Sequence, residues 1–265
     1  MSGSGEQAFD EVAGEYQQKA LVQHRAAKKL LALAEVREGE DVLDVACGPG
    51  HITDALRSLT TGRVLGTDIS EGMLNEARQQ YPRLEFRHIA AEDLDYAGEF
   101  DLVFCNSSLQ WFEHPDRALA AMFRALRRGG RLALACPTAW GLFAQAVDSV
   151  TQYPEIAPVF KHWRNPWFVL PDLAGYRALA EGAGFATRQA ELAEETETLA
   201  LERAYQVYLS GAANGYTGRM YYAEDFPETY VREFNAGVRR VLEAQAVAGK
   251  VAVTFTRLFY LGEKK

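Results

Sequence analysis

The chain of 265 residues is 48% hydrophobic, 24% charged and 11% aromatic, the make-up of an ordinary globular protein with a real core to bury. Its 28 lysines and arginines against 36 aspartates and glutamates leave a formal charge of −8, which opposes broad attraction to nucleic acid or to an anionic bilayer. No window approaches the ~18 consecutive apolar residues of a membrane span, and Met1 to Gly5 lack the basic-then-apolar build of a secretory signal, so the expected compartment is the cytoplasm, with no membrane partner.

Met1 to Gly5, a Ser/Gly run, is set aside from the fold. From about Ala8 to Ala34, Phe9, Val12, Ala13, Tyr16, Ala20, Leu21, Ala27, Leu30 and Leu31 recur at helical spacing and predict two helices. The polar turn Arg37 to Asp41 leads into Val42 to Ala46, a short apolar run suited to a parallel strand covered on both faces. A helix is expected over about His51 to Leu59 and a second strand over Arg63 to Asp68. Ser70 then predicts an N-cap for a helix reaching Gln80. Leu84 to Ile89, Phe100 to Cys105 and Arg131 to Cys136 read as strands three to five, with an amphipathic helix over Asp116 to Arg128 closed by Gly129-Gly130.

Beyond Pro137 the rhythm breaks into an aromatic, proline-bearing stretch with no clean period, followed by a helix from about Asp172 to Ala183. Strand-like residues near 187–198, a mostly helical Leu201 to Ala246 and a last strand over Val251 to Leu261 complete the chain. Strand alternating with helix five times predicts an α/β fold, a doubly wound, Rossmann-like sheet of seven strands. It is mostly parallel with an antiparallel final strand, and a helical cap is inserted near the C-terminus. The organisation expected is an N-terminal helical lid (1–35), a cofactor-binding core (36–137) and the rest of the sheet with cap segments (138–170 and 200–246). Cys47, Cys105 and Cys136 are odd in number, lie in apolar runs and lack Cys-x-x-Cys spacing, so they predict buried thiols rather than a disulfide framework or a zinc site.

The chemistry concentrates in Val42-Leu43-Asp44-Val45-Ala46-Cys47-Gly48-Pro49-Gly50 and in Asp68 at the end of the next strand. Glycines at a strand-to-helix turn let backbone approach a ligand, and a carboxylate on the adjacent strand can accept both hydroxyl protons of a ribose. A side chain at Gly50 is expected to enter the ligand groove. A dinucleotide site wants a third glycine three residues past Gly50, where this chain has Thr53. Asp44 beside the loop suits a cationic group better than a phosphate. These features favour S-adenosylmethionine; the competing readings are a nicotinamide-dependent oxidoreductase and a non-catalytic cofactor-binding module.

Val42 to Gly50, Asp68-Ile69-Ser70 with Met73, Phe100-Asp101-Leu102-Val103 and Arg128 to Leu132 resemble the successive motifs of class I S-adenosylmethionine-dependent methyltransferases, over about Phe9 to Cys136. Cys105 to Trp111, the Phe9 to Tyr16 helix and the Phe255 to Leu261 strand are similar to carboxyl O-methyltransferases of the malonyl-acyl-carrier-protein and trans-aconitate groups. The resemblance implies that Ala46, Gly48 and Gly50 cradle the methionine moiety and that Asp68 grips the ribose. It places Ile69 and Met73 at the adenine, Asn106 beneath the sulfonium and Tyr16 as a lid. Where the family has an adenine-binding Asp this chain has Ala90, so either Glu92 or Asp93 substitutes or the adenine amino group meets backbone or water, with Ala91 and Glu92 as the expected adenine contacts.

For the acceptor, Gln110, Trp111, Trp140, His162, Arg164 and Arg219 are the candidates, with Arg257 a further arginine able to clamp a carboxylate. Tyr216, Tyr221 and Tyr222 either line a pocket or pack the cap. The remaining histidines show neither triad nor metal spacing, and no metal is expected. A carboxylate acceptor is ionised at neutral pH and needs no general base, in keeping with the lack of an evident dyad. The expected activity is in-line methyl transfer to a small or acyl-carrier-bound acceptor, with hydroxyl, nitrogen or carbon acceptors as alternatives, in a monomer or homodimer.

Overall fold

The computed structural model describes residues 21–139 and 141–265, with side chains described from Ala27 onward. The expected first helix, Tyr16 and Trp140 lie outside the described residues. The elements run α1 (Leu21–Ala34), β1 (Val42–Val45), α2 (His51–Arg57), β2 (Val64–Asp68), α3 (Glu71–Gln80), β3 (Glu85–His88) and β4 (Phe100–Asn106). They continue with α4 (Pro115–Ala125), β5 (Leu126–Ala139), α5 (Gly141–Val150), the single turn α6 (Ala157–Phe160), α7 (Leu173–Gly182) and β6 (Ala186–Ala200). The last are α8 (Leu201–Leu209), α9 (Ala212–Thr217), α10 (Glu228–Gln245) and β7 (Lys250–Glu263).

The seven strands form one sheet in the order β3-β2-β1-β4-β5-β7-β6. The first five are parallel, and β7 runs antiparallel between β5 and β6. The fold is therefore the α/β, Rossmann-like arrangement that the alternation predicts. Alternate residues of the central strands feed opposite layers. Leu43, Val45, Val103, Cys105, Leu132 and Leu134 join one core cluster, while Val42, Leu102, Phe104, Ala133 and Ala135 join another. Burial on both faces explains why these strands read as unbroken apolar runs. A third cluster joins α5, Ile156 and Trp167 to α8, α9 and α10 and to the start of β7, so residues from both expected cap segments share one core.

Ser70 caps α3 as its sequence predicts, its Oγ accepting from the Met73 N–H at 3.0 Å. The amphipathic helix, however, ends at Ala125 rather than Arg128. Leu126 already pairs with Phe100 at the start of β5. Lys264 Nζ donates to the carbonyls of Phe123 and Leu126 at 2.9 and 2.7 Å, supplying the helix end with a cation and a donor from a distant strand. Gly129 turns at φ 78 and donates to the Lys264 carbonyl, so the glycine pair belongs to a strand irregularity and not to a helix stop. α5 is a helix within the stretch that shows no clean period in sequence; Leu142, Phe143, Ala146, Val147 and Val150 form its buried stripe. All three cysteines are free and buried, and burial pushes the Cys136 thiol up to about 12. Among the described residues no helix is long and apolar enough to cross a membrane.

At the edge opposite the site, Arg131 clamps the end of α1 to β5. Its guanidinium donates to Glu40 Oε1 and Oε2 at 2.7 and 2.8 Å and to the Ala34 carbonyl at 3.0 Å, with its side chain only 5% exposed. Burial raises the Glu40 carboxyl, but the bonds from Arg131 and the Arg37 N–H outweigh it and hold the carboxyl below its usual range. Removing one partner of such a pair strands the other charge. Arg131→Ala is expected to lower unfolding free energy by about 3 kcal/mol, read as an earlier urea midpoint.

Candidate cofactor and acceptor site

In this strand order the chain reverses its winding between β1 and β4, and a crevice opens beyond their carboxyl ends, where open α/β sheets take ligands. Two non-glycine residues there hold left-handed backbone, Ala46 after β1 at φ 55 and Ser107 after β4 at φ 62. Each such residue costs about 1–3 kcal/mol, a strain that concentrates at functional sites. The two turns approach each other where Ser108 Oγ lies 3.5 Å from the Ala46 carbonyl.

Asp68 organises the glycine loop. Its Oδ2 accepts the Gly48 N–H at 2.8 Å and its Oδ1 the Ser70 N–H at 2.9 Å, with the residue 8% exposed. A carboxylate offers about four lone-pair sites, so capacity remains for hydroxyl donors. Burial is the main cause of a raised Asp68 carboxyl, opposed by the N–H groups of Ser70, Gly48 and Ile69.

The two glycines differ. Both have positive φ, Gly48 at 55 and Gly50 at 83. A β-carbon on Gly48 would meet nothing within 4 Å, so this is the open side of the cradle. On Gly50 it would lie 2.8 Å from Phe86 Cζ and 3.0 Å from Ala77 Cβ. The expectation that a side chain at Gly50 enters the ligand groove is corrected: Gly50 is small because α3 and β3 press on the loop from behind.

Thr53, standing where a dinucleotide site wants glycine, is fully buried and donates to Asp44 Oδ2 at 2.7 Å, tying α2 to β1. Sequence reasoning registers Thr53 only as a missing glycine; its signal is a hydroxyl residue in the first turn of α2, within reach of a buried acid. Burial pushes the Asp44 carboxyl up to about 7, the Thr53 bond opposing and the Asp68 charge adding to the rise. Neither carboxyl group, Asp44 behind the loop or Asp68 beside it, offers a diphosphate a countercharge. The residues present thus fit an adenosyl sulfonium: an open glycine turn, a ribose-competent carboxylate and acidic surroundings.

Around this cradle Met73 is buried and Ile69 half-buried, with the Ile69 carbonyl 2.6 Å from His88 Nε2. Ala91 packs into the core, Glu92 accepts the His114 N–H at 3.3 Å, and Asp93 faces Arg117 at 3.7 Å. Both acidic side chains therefore turn toward α4. Asn106 is buried at the end of β4. Gln110 is 4% exposed; its Nε2 donates to the Ser107 carbonyl at 2.7 Å, and its buried Oε1 has no hydrogen-bond partner among the described residues. Trp111 sits edge-on to Trp167 with ring centroids 5.8 Å apart.

The other acceptor candidates stay with the cap. His162 Nε2 is 3.5 Å from Glu224, and Arg164 is exposed. Arg219 pairs with Asp225, donates to the Phe226 carbonyl at 2.9 Å and lies over the Phe226 ring. Tyr216 packs against Trp167 and Trp163, while Tyr222 Oη donates to the Tyr216 carbonyl and meets Tyr230 Oη at 3.0 Å. These tyrosines build the cap's interior.

Residues 43–134 match the family described as a methyltransferase domain. Over 247 residues, 89% of this chain and 91% of the relative, the sequence is 30% identical to a trans-aconitate 2-methyltransferase of Azoarcus sp. (strain BH72). The chain belongs to the S-adenosylmethionine-dependent methyltransferases. This methyltransferase is also 36% identical over 131 residues, 49% of its own length and 51% of the relative's, to a malonyl-[acyl-carrier protein] O-methyltransferase of Pectobacterium atrosepticum. Several other curated relatives are matched over only about half of their length. The fold is that of a crystal structure assigned as a methyltransferase from Bacillus halodurans C-125, with a TM-score of 0.60, 20% identity, and coverage of 91% of this chain and 99% of that one. The nicotinamide and non-catalytic readings give way to an enzyme that uses S-adenosylmethionine.

Asp44 gives the methyltransferase a pH signature. A carboxyl whose folded pKa is raised stabilises the fold below its unfolded pKa, and that contribution is lost as pH rises through the folded value. Cofactor-free wild type is expected to lose about 2 kcal/mol more stability between pH 5 and pH 7 than Asp44→Asn, read from paired urea titrations.

Proposed function

We propose that this methyltransferase transfers a methyl group to a carboxylate oxygen of a small organic acid. The likeness to a trans-aconitate 2-methyltransferase across 89% of the chain carries the reading. The likeness to a carrier-protein methyltransferase extends over only 131 residues and makes a carrier-bound acid the second reading.

S-adenosylmethionine supplies a methyl group on a sulfonium. In the proposal the loop backbone at Ala46, Gly48 and Gly50 receives the methionine portion, and the free lone pairs of Asp68 accept the ribose hydroxyls. Ile69 and Met73 flank the adenine, the backbone turn at Ala91 and Glu92 faces its edge, and Asn106 lies under the reacting centre. Tyr16 is proposed as the lid and Trp140 as an acceptor contact; both are outside the described residues. Trp111, Trp163 and Trp167 with Tyr216 make an aromatic hood whose centroids lie 4.7 to 6.0 Å apart, suited to excluding water. Alignment and dehydration are what an in-line displacement chiefly requires, and an ionised acceptor needs no base.

The test is transfer from cofactor labelled with tritium in the methyl group to trans-aconitate and to malonyl-acyl carrier protein. A carboxyl ester returns volatile labelled methanol on mild alkaline treatment, whereas an ether, amine or carbon product keeps its label. Base-labile label in trans-aconitate is the expected result, and base-stable label alone would refute a carboxylate acceptor. For the cofactor, Asp68→Ala removes charge-assisted bonds worth about 1.5–3 kcal/mol each and is expected to weaken binding at least about 10-fold by calorimetry.

A further inference from the structure

We infer that Arg257 is the specificity residue for a second, non-reacting carboxylate, so that the acceptor is a di- or tricarboxylic acid; this rests on the carboxylate reading above. Of the three arginines that the sequence offers as carboxylate clamps, Arg164 is exposed and Arg219 lies on the cap surface over the Phe226 ring. Arg257 is different in place and surroundings. It sits on β7 opposite Pro137, at the carboxyl end of β5, and is 6% exposed. Its Nη1 donates to Ser107 Oγ at 3.0 Å, and so touches the left-handed turn that closes β4 and borders the crevice.

That turn is held from several sides. The Ser107 N–H donates to the Ala135 carbonyl at 2.6 Å, Gln110 Nε2 donates to the Ser107 carbonyl, and the neighbouring Ser108 reaches toward Ala46 in the glycine loop. The cation therefore has a fixed position relative to the cofactor cradle. A guanidinium presents five donors in a planar fork that matches a carboxylate, and it stays charged when buried.

Which carboxylate it serves follows from the reaction. An oxygen that accepts a methyl group loses its negative charge on the way to the ester. A cation clamped on that group would stabilise the starting anion more than the transition state and would slow the step. The same cation on a carboxylate that remains ionised binds ground state and transition state alike, orienting the acceptor at no such penalty. A guanidinium fixed beside the turn thus selects an acid with one carboxylate to hold and another to methylate. A thioester of a malonyl group has only one carboxylate and would leave Arg257 without this role.

The test compares wild type, Arg257→Gln and Arg257→Lys, each verified by thermal unfolding and by calorimetry with S-adenosylmethionine. Acceptors are trans-aconitate and its analogue with one non-reacting carboxylate converted to an amide. Expected is a rise in KM for trans-aconitate of about 10- to 100-fold in Arg257→Gln, an intermediate rise in Arg257→Lys, kcat within a few-fold, and unchanged cofactor affinity. The best-accepted monoamide should be used poorly by wild type and no worse by the variants. Binding of trans-aconitate to the enzyme saturated with S-adenosylhomocysteine, measured by calorimetry, supplies a readout without turnover. Equal KM and equal binding in wild type and Arg257→Gln would overturn the assignment. So would variants that fold and bind cofactor normally but lose only kcat. If no carboxylate is methylated while trans-aconitate binding still depends on Arg257, the acceptor reading falls and the anion site stands.

Discussion

The carboxylate of Asp68 is the fixed point of this molecule's chemistry. It receives N–H groups from Gly48 and Ser70, which belong to the two loops leaving adjacent strands, and thereby locks both loops to the end of β2. Hydrogen bonds to a buried ionised group are stronger than those between neutral partners. The left-handed backbone at Ala46, Gly48 and Gly50 lies within this bonded frame. Asp44 stands behind the same loop, with Thr53 as its hydroxyl partner. The loop is thus framed by two carboxyl groups, neither of which offers a phosphate a countercharge.

The middle of the sheet was legible because its central strands are buried on both faces, which leaves an unbroken apolar signature bounded by turns. The glycine loop and Asp68 were legible because their spacing is set by one strand-turn-helix unit. Other features depend on partners distant in the chain. The end of α4 is decided by Lys264, 139 positions after Ala125, and no local pattern announces that cap. Gly50 reads like a ligand contact, yet its smallness answers to Phe86 and Ala77. The bond that Glu92 accepts from the His114 N–H, 22 positions on, likewise shows in no local pattern.

The cap was harder to read because its helices bury aromatic stripes against one another as well as against the start of β7. Phe160, Trp163, Trp167, Tyr216 and Phe234 form a continuous ring assembly. In sequence these residues are indistinguishable from a substrate pocket. The arginines posed the same problem: composition and spacing treat Arg164, Arg219 and Arg257 alike, whereas the register of β7 against β5 puts only Arg257 beside the turn that ends β4.

The placement of β7 also bears on how the chain assembles. β6 is made before β7, yet its partner in the sheet is β7 alone. Until residue 250 onward has been synthesised, β6 is a ribbon with neither flank satisfied. Its sequence is suited to that wait: Glu191, Glu194, Glu195 and Glu197 charge a segment that would otherwise invite pairing with other nascent chains. The acidic strand serves the finished enzyme as an edge and the growing polypeptide as its own solubiliser.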